Sequence, residues 1–66
     1  MELRVLKYFI KIAEEENMTK AAQKLHVSQP ALSKQMKELE NEIGHLLFVR
    51  NKQRMVLTEK GMLLKK

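Results

Sequence analysis

The chain has 66 residues, a net charge of +5, a calculated isoelectric point near 9.8 and no cysteine. A chain this short makes at most one domain, near the lower limit for independent folding. Disulfide staples and thiolate zinc sites are excluded, and no apolar run approaches the roughly 20 residues that span a bilayer, so the excess charge points to a polyanionic partner rather than a membrane.

Residues 2–16 predict an amphipathic helix. At about 100° per residue, Leu3, Val5, Leu6, Tyr8, Phe9, Ile10, Ile12 and Ala13 fill one face, and Arg4, Lys7, Lys11, Glu14 and Glu15 the other. Glu14, Glu15 and Glu16 oppose the dipole at a helix C-terminus, and Asn17 breaks the pattern, so the helix ends there. Residues 18–25 predict a second, short helix, capped by Asn17 or Thr19, with Ala21, Ala22 and Leu25 inward. The two alanines let another helix approach closely. "HVS" then makes a tight turn, with Val27 as its apolar plug and His26 near a place often held by glycine.

Residues 29–43 predict a third helix, with Ser28 as N-cap and Pro30 in the first turn, where a missing N–H costs little. Leu32, Met36, Leu39 and Ile43 form its inward stripe, and Gly44 is the expected stop. Residues 46–50 and 54–57 read as two short strands joined by the polar "NKQ". Thr58 caps a last helix, Gly61 weakens it, and Met62, Leu63 and Leu64 have little chain left against which to bury.

Charge is distributed in blocks. Residues 19–37 hold Lys20, Lys24, Lys34 and Lys37 and no acid; residues 38–45 hold Glu38, Glu40 and Glu42 and no Lys or Arg; residues 46–66 hold six Lys and Arg against Glu59. Two basic blocks flanking an acidic one suggest two contact regions on a polyanion. Two helices joined by a tight turn match a helix-turn-helix, whose second helix enters the DNA major groove by its N-terminal part. That end must be slim, because the groove is about 12 Å wide. Ser28, Gln29 and Ser33 can bond base edges, Pro30 and Ala31 suit a thymine methyl, and Lys34 and Lys37 can reach phosphate or guanine. The helix N-terminus adds partial positive charge for a phosphate. The three glutamates that follow should carry the far half of the helix out of the groove. Arg50, Lys52, Gln53 and Arg54 at the tip of the hairpin form a second contact, and arginine suits a narrow, electronegative minor groove. The expected fold is mainly α: a winged helix-turn-helix over residues 1–57, with a three-helix core and a hairpin wing, followed at 58–66 by the truncated start of a further helix.

"AAQKLHVSQPALSKQ", followed by "LFVR" and "LTEKG", resembles the N-terminal DNA-binding domain of LysR-type transcriptional regulators. The resemblance implies a bacterial transcription factor acting in the cytoplasm at the nucleoid. It implies a linker helix beginning at Thr58 that pairs with a second copy, giving a homodimer or higher homo-oligomer. It also implies a C-terminal effector-binding domain, absent here, that would take a small molecule. Gln29, Pro30, Ser33 and Lys34 would then face bases or nearby phosphates, and Thr19, Lys37 and Arg50 would hold the backbone. Family members often carry a basic residue in place of Gln53 and a small one in place of Arg54, so the wing residue for the minor groove stays open.

No paired groups suit nucleophilic or metal chemistry, so neither an enzyme nor a cofactor is expected, and His26 and His45 read as structural or exposed. The competing reading is a winged helix that docks a protein, for which the apolar "MLLKK" end speaks. A basic membrane-surface helix is disfavoured, because the cations are split between elements.

Overall fold

The computed structural model describes residues 2–51 and 54–65. Its elements run α1 (Leu3–Glu15), α2 (Met18–Leu25), α3 (Gln29–Ile43), β1 (Phe48–Asn51), β2 (Arg54–Leu57) and α4 (Glu59–Lys65). Local chemistry places each boundary. α1 stops because Glu16 turns left-handed, with φ 53°, and donates its N–H to the Ile12 carbonyl at 2.8 Å. Of the two caps open to α2, Asn17 is used: its Oδ1 accepts the Lys20 N–H at 2.9 Å. α2 ends at His26, also left-handed at φ 59°, and the Val27 N–H closes on the Ala22 carbonyl at 3.0 Å. Histidine is one of the few side chains that enter this region with some frequency, which is why it serves where glycine is common. Ser28 Oγ accepts the Ala31 N–H at 3.3 Å to open α3, and Gly44 closes it at φ 85°.

α2 and α3 occupy the spans expected from periodicity. β1 does not. It begins at Phe48, not Leu46, because the Leu47 N–H is taken by the Glu40 carboxylate at 2.7 Å, and Leu46 faces solvent. Residues 46 and 47 therefore run as a loop tied to α3. β1 and β2 pair antiparallel, Phe48 opposite Leu57 and Asn51 opposite Arg54.

The core gathers Phe9 and Ile12 from α1, Met18, Ala21 and Ala22 from α2, Leu32, Met36 and Leu39 from α3, and Leu47 and Phe48 from the loop and hairpin. The Phe9 and Phe48 rings meet at 5.3 Å in a tilted pair, fastening the hairpin to α1. Leu3, expected on the apolar face, is exposed: it begins α1, more than a turn before the first buried residue, Phe9. Leu64 packs against the core, whereas Met62 and Leu63 are exposed. Among the described residues, no helix is long and apolar enough to cross a membrane.

An ion pair also joins α1 to α2. Lys24 Nζ donates to Glu15 Oε2 at 2.9 Å. That hydrogen bond holds the Glu15 carboxyl below its ordinary value, against the effect of partial burial and with help from the charges of Lys24, Lys11 and Lys20. The same bond raises the Lys24 ammonium. A lowered carboxyl contributes stability above its unfolded-state value and loses it as pH falls through the folded one; a raised ammonium contributes below its unfolded-state value and loses it as pH rises through the folded one. Lys24→Met should therefore melt below the wild type near neutrality, with the gap closing as pH falls below the ordinary carboxylate range and through the lowered value of Glu15. Melting curves across that range test it, and a gap independent of pH would refute the pairing.

Candidate nucleic-acid interface

α3 has two sides of opposite chemistry. Leu32, Met36 and Leu39 are buried, whereas Gln29, Pro30, Ala31, Lys34 and Lys37 are exposed and Ser33 is half-buried. The buried stripe recurs at four and three residues, which turns Lys34, Lys37 and Glu38 outward and leaves Ser33 and Gln35 half-buried. The exposed side of the first half holds no acid, and neither Lys34 nor Lys37 enters an ion pair among the described residues. Lys24, counted with them in the basic block, is instead paired to Glu15.

The front of α3 is partly occupied by its own cap. Ser28 satisfies the Ala31 N–H through Oγ and the Leu32 N–H through its carbonyl, and Pro30 has no N–H. The slimness comes at the expense of open backbone donors, so any anion held here depends mainly on side chains. One such side chain is already directed. Thr19 Oγ1, on α2, donates to Gln29 Oε1 at 3.0 Å across the turn.

Beside the Phe9–Phe48 contact, polar bonds among the described residues tie the hairpin to the helices. Glu40, on α3, accepts both the Leu47 N–H at 2.7 Å and the Phe48 N–H at 3.3 Å. The Glu16 carbonyl, turned outward by its left-handed backbone, accepts the Met55 N–H at 3.0 Å. The Glu16 carboxylate pairs with the Arg54 guanidinium. Ser33, Met36, Lys37 and Glu40 of α3 share a shallow cleft with Met18 and with Phe48 and Met55 of the hairpin. The Ser33 and Lys37 side of α3 thus faces the base of the wing.

The residues singled out in the sequence fall unevenly on this surface. Gln29, Pro30, Ala31, Ser33, Lys34 and Lys37 lie together on α3, with Ser28 at its cap and Thr19 beside Gln29. Arg50 lies in β1 opposite Met55. Arg54 is exposed yet engaged by Glu16, which makes it a brace for the wing base. Lys52 and Gln53 lie outside the described residues. Glu40, expected only to face away from a polyanion, holds the loop between α3 and the wing. Neither it nor Glu16 carries a local signal of these roles, since the partners lie seven and 38 residues away.

A helix with an exposed, acid-free front, a left-handed turn before it and a braced hairpin beside it define a winged helix-turn-helix domain. Comparison with known proteins narrows this: the chain belongs to the lysR family of bacterial regulatory helix-turn-helix proteins, whose model matches residues 3–62. The HTH-type transcriptional regulator BsdA of Bacillus subtilis (strain 168) is 55% identical over 62 residues, covering 92% of this chain and 21% of its own. The Hca operon transcriptional activator HcaR of Escherichia coli (strain K12) is 52% identical over 61 residues, covering 92% and 21%. The chain therefore spans about a fifth of the length of these relatives. The DNA complex of the CbnR DNA-binding domain superposes with a TM-score of 0.93 at 46% identity, covering 98% of this chain and 75% of that one. The BenM DNA-binding domain on catB site 1 DNA gives 0.94 at 43% identity, covering 98% and 72%.

Proposed function

We propose that this domain binds double-stranded DNA sequence-specifically as part of a bacterial transcriptional regulator, with α3 in the major groove and the hairpin on the backbone and minor groove. One observation carries the reading: the buried Leu32, Met36 and Leu39 stripe backs an exposed front of Gln29, Pro30, Ala31, Lys34 and Lys37 that contains no acid. Gln29 and Ser33 read base edges, Pro30 and Ala31 meet a thymine methyl, and Lys34, Lys37 and Arg50 approach phosphate. Lys52 and Gln53 add contacts to the DNA backbone or minor groove, Thr19 and Ser28 supply the flank of the reading helix, and Arg54 reaches the backbone from its pair with Glu16. Residues 1–57 are the binding domain, and 58–66 begin a linker helix on which Met62 and Leu63 await a second copy. Two copies in a longer protein then place two reading helices on half-sites about 34 Å apart, or a multiple of that. The DNA complexes of CbnR and BenM DNA-binding domains support this reading by their likeness to the chain. The regulator acts in the cytoplasm, at the nucleoid, without catalysis of its own, and an effector would act through a further domain.

The test is a salt titration on a duplex recovered by selection from random sequences. Affinity should fall linearly on a log–log scale, by roughly 0.9 in slope for each phosphate neutralised. Lys34→Glu should weaken binding about tenfold or more at ~0.1 M salt and flatten the slope by about one to two, with the circular dichroism unchanged. Salt-independent binding, or a folded Lys34→Glu chain that binds as the wild type does, would overturn the proposal.

A further inference from the structure

We infer that Thr19 is a positioning residue for base readout: by donating its hydroxyl to Gln29 Oε1 at 3.0 Å, it orients the Gln29 amide and so sharpens base selectivity at one position. The inference rests on the DNA-binding reading proposed above.

A glutamine amide is two-faced. One end donates, the other accepts, and the terminal torsion is broad and roughly two-fold. An exposed glutamine at the head of a helix can therefore offer either end to a groove. With its donor end at the right place it pairs with adenine, giving N–H to N7 and accepting from N6. With the ends exchanged, the donor and the acceptor trade places, and the match to adenine is lost. The bond seen here corresponds to one of the two orientations: the Thr19 hydroxyl donates to one lone pair of Oε1, which leaves the second lone pair for N6 and an Nε2 hydrogen for N7. Both side chains are exposed, so water competes for the bond, and its effect on selectivity is modest rather than absolute. The bond spans the turn of the motif, ten residues apart in sequence, and makes α2 a participant in readout and not only a support.

Competitive binding to the selected duplex and its single-base-pair variants tests this with five chains: wild type, Thr19→Val, Thr19→Ser, Gln29→Ala and the Thr19→Val/Gln29→Ala double variant. Valine keeps the shape of threonine without its hydroxyl; serine keeps the hydroxyl. Thr19→Val should lower the preference at the base pair sensitive to Gln29→Ala by about three- to tenfold, and leave preferences elsewhere unchanged. Thr19→Ser should retain the preference, and Thr19→Val should have no effect at that base pair once Gln29 is alanine. A uniform loss across all duplexes, equal in both backgrounds, would assign Thr19 to the DNA backbone alone and overturn the inference. So would a full preference in a folded Thr19→Val chain. If Gln29→Ala itself leaves every base preference intact, Gln29 is not a reader, and the proposed readout and this inference fall together.

Discussion

Leu32→Ala is expected to lower folding stability by about 2–5 kcal/mol, the range for emptying a fully buried leucine site. Leu32 has no exposed surface and lies on α3 between Ala31 and Ser33, directly behind the front that faces outward. At roughly 0.05–0.15 kcal/mol per residue, a domain of this length holds only about 3–10 kcal/mol in total. The substitution should therefore leave a chain that unfolds at low urea, and DNA affinity should disappear with the fold rather than with a contact. Leu63, at 63% exposure, provides the control: Leu63→Ala should move the urea midpoint by less than about 0.5 kcal/mol in equivalent stability. Comparable shifts in the two variants would contradict the burial of Leu32 behind the exposed front of α3.

Gly61→Ala reverses the usual sign. In an exposed helix interior, replacing glycine by alanine stabilises by up to about 1 kcal/mol. Here Gly61 is buried, and a Cβ on it would stand 2.3 Å from the Leu47 carbonyl oxygen and 3.0 Å from Leu57 Cδ2. The carbonyl cannot easily retreat. It accepts the Thr58 N–H at 3.0 Å, while the N–H of the same residue is held by Glu40 at 2.7 Å. Thr58 is itself pinned, donating its hydroxyl to the Leu46 carbonyl at 2.6 Å and accepting the Gly61 N–H at 3.1 Å. Overpacking of this kind costs about 1–3 kcal/mol, and a backbone obstacle belongs at the upper end. A net loss of about 2 kcal/mol in urea denaturation is the expected outcome; a gain in stability would show that α4 does not approach the 46–47 loop so closely. The consequence reaches the interface, because α4, the loop, Glu40 and the first wing strand form one connected set of hydrogen bonds.

That glycine also marks where reading the sequence stops short. Residue by residue, Gly61 looks like a weak point in a helix; in the fold it is the contact that lets the helix seat. The same contrast holds for Glu40, which reads as one of three solvated acids but clamps the loop, and for the pairing of Arg54 with Glu16, which no local pattern announces. It holds for β1, whose apolar run suggests a start at Leu46 although the Glu40 bond delays pairing to Phe48.

What the amino-acid order determined unaided was the order of the elements, the spans of α2 and α3, the inward stripe of Leu32, Met36 and Leu39, and the acid-free front of α3. These rest on helical periodicity and on caps such as Ser28 and Gly44, all of which act within a turn or two of the chain. Only the tertiary structure decided which polar groups meet across that frame: Thr19 with Gln29, Glu40 with the wing loop, Glu16 with Arg54, and Gly61 with the Leu47 carbonyl. Such pairings join residues seven to 38 positions apart. They leave no periodic trace, because they depend on how packed helices bring separate surfaces within hydrogen-bond range.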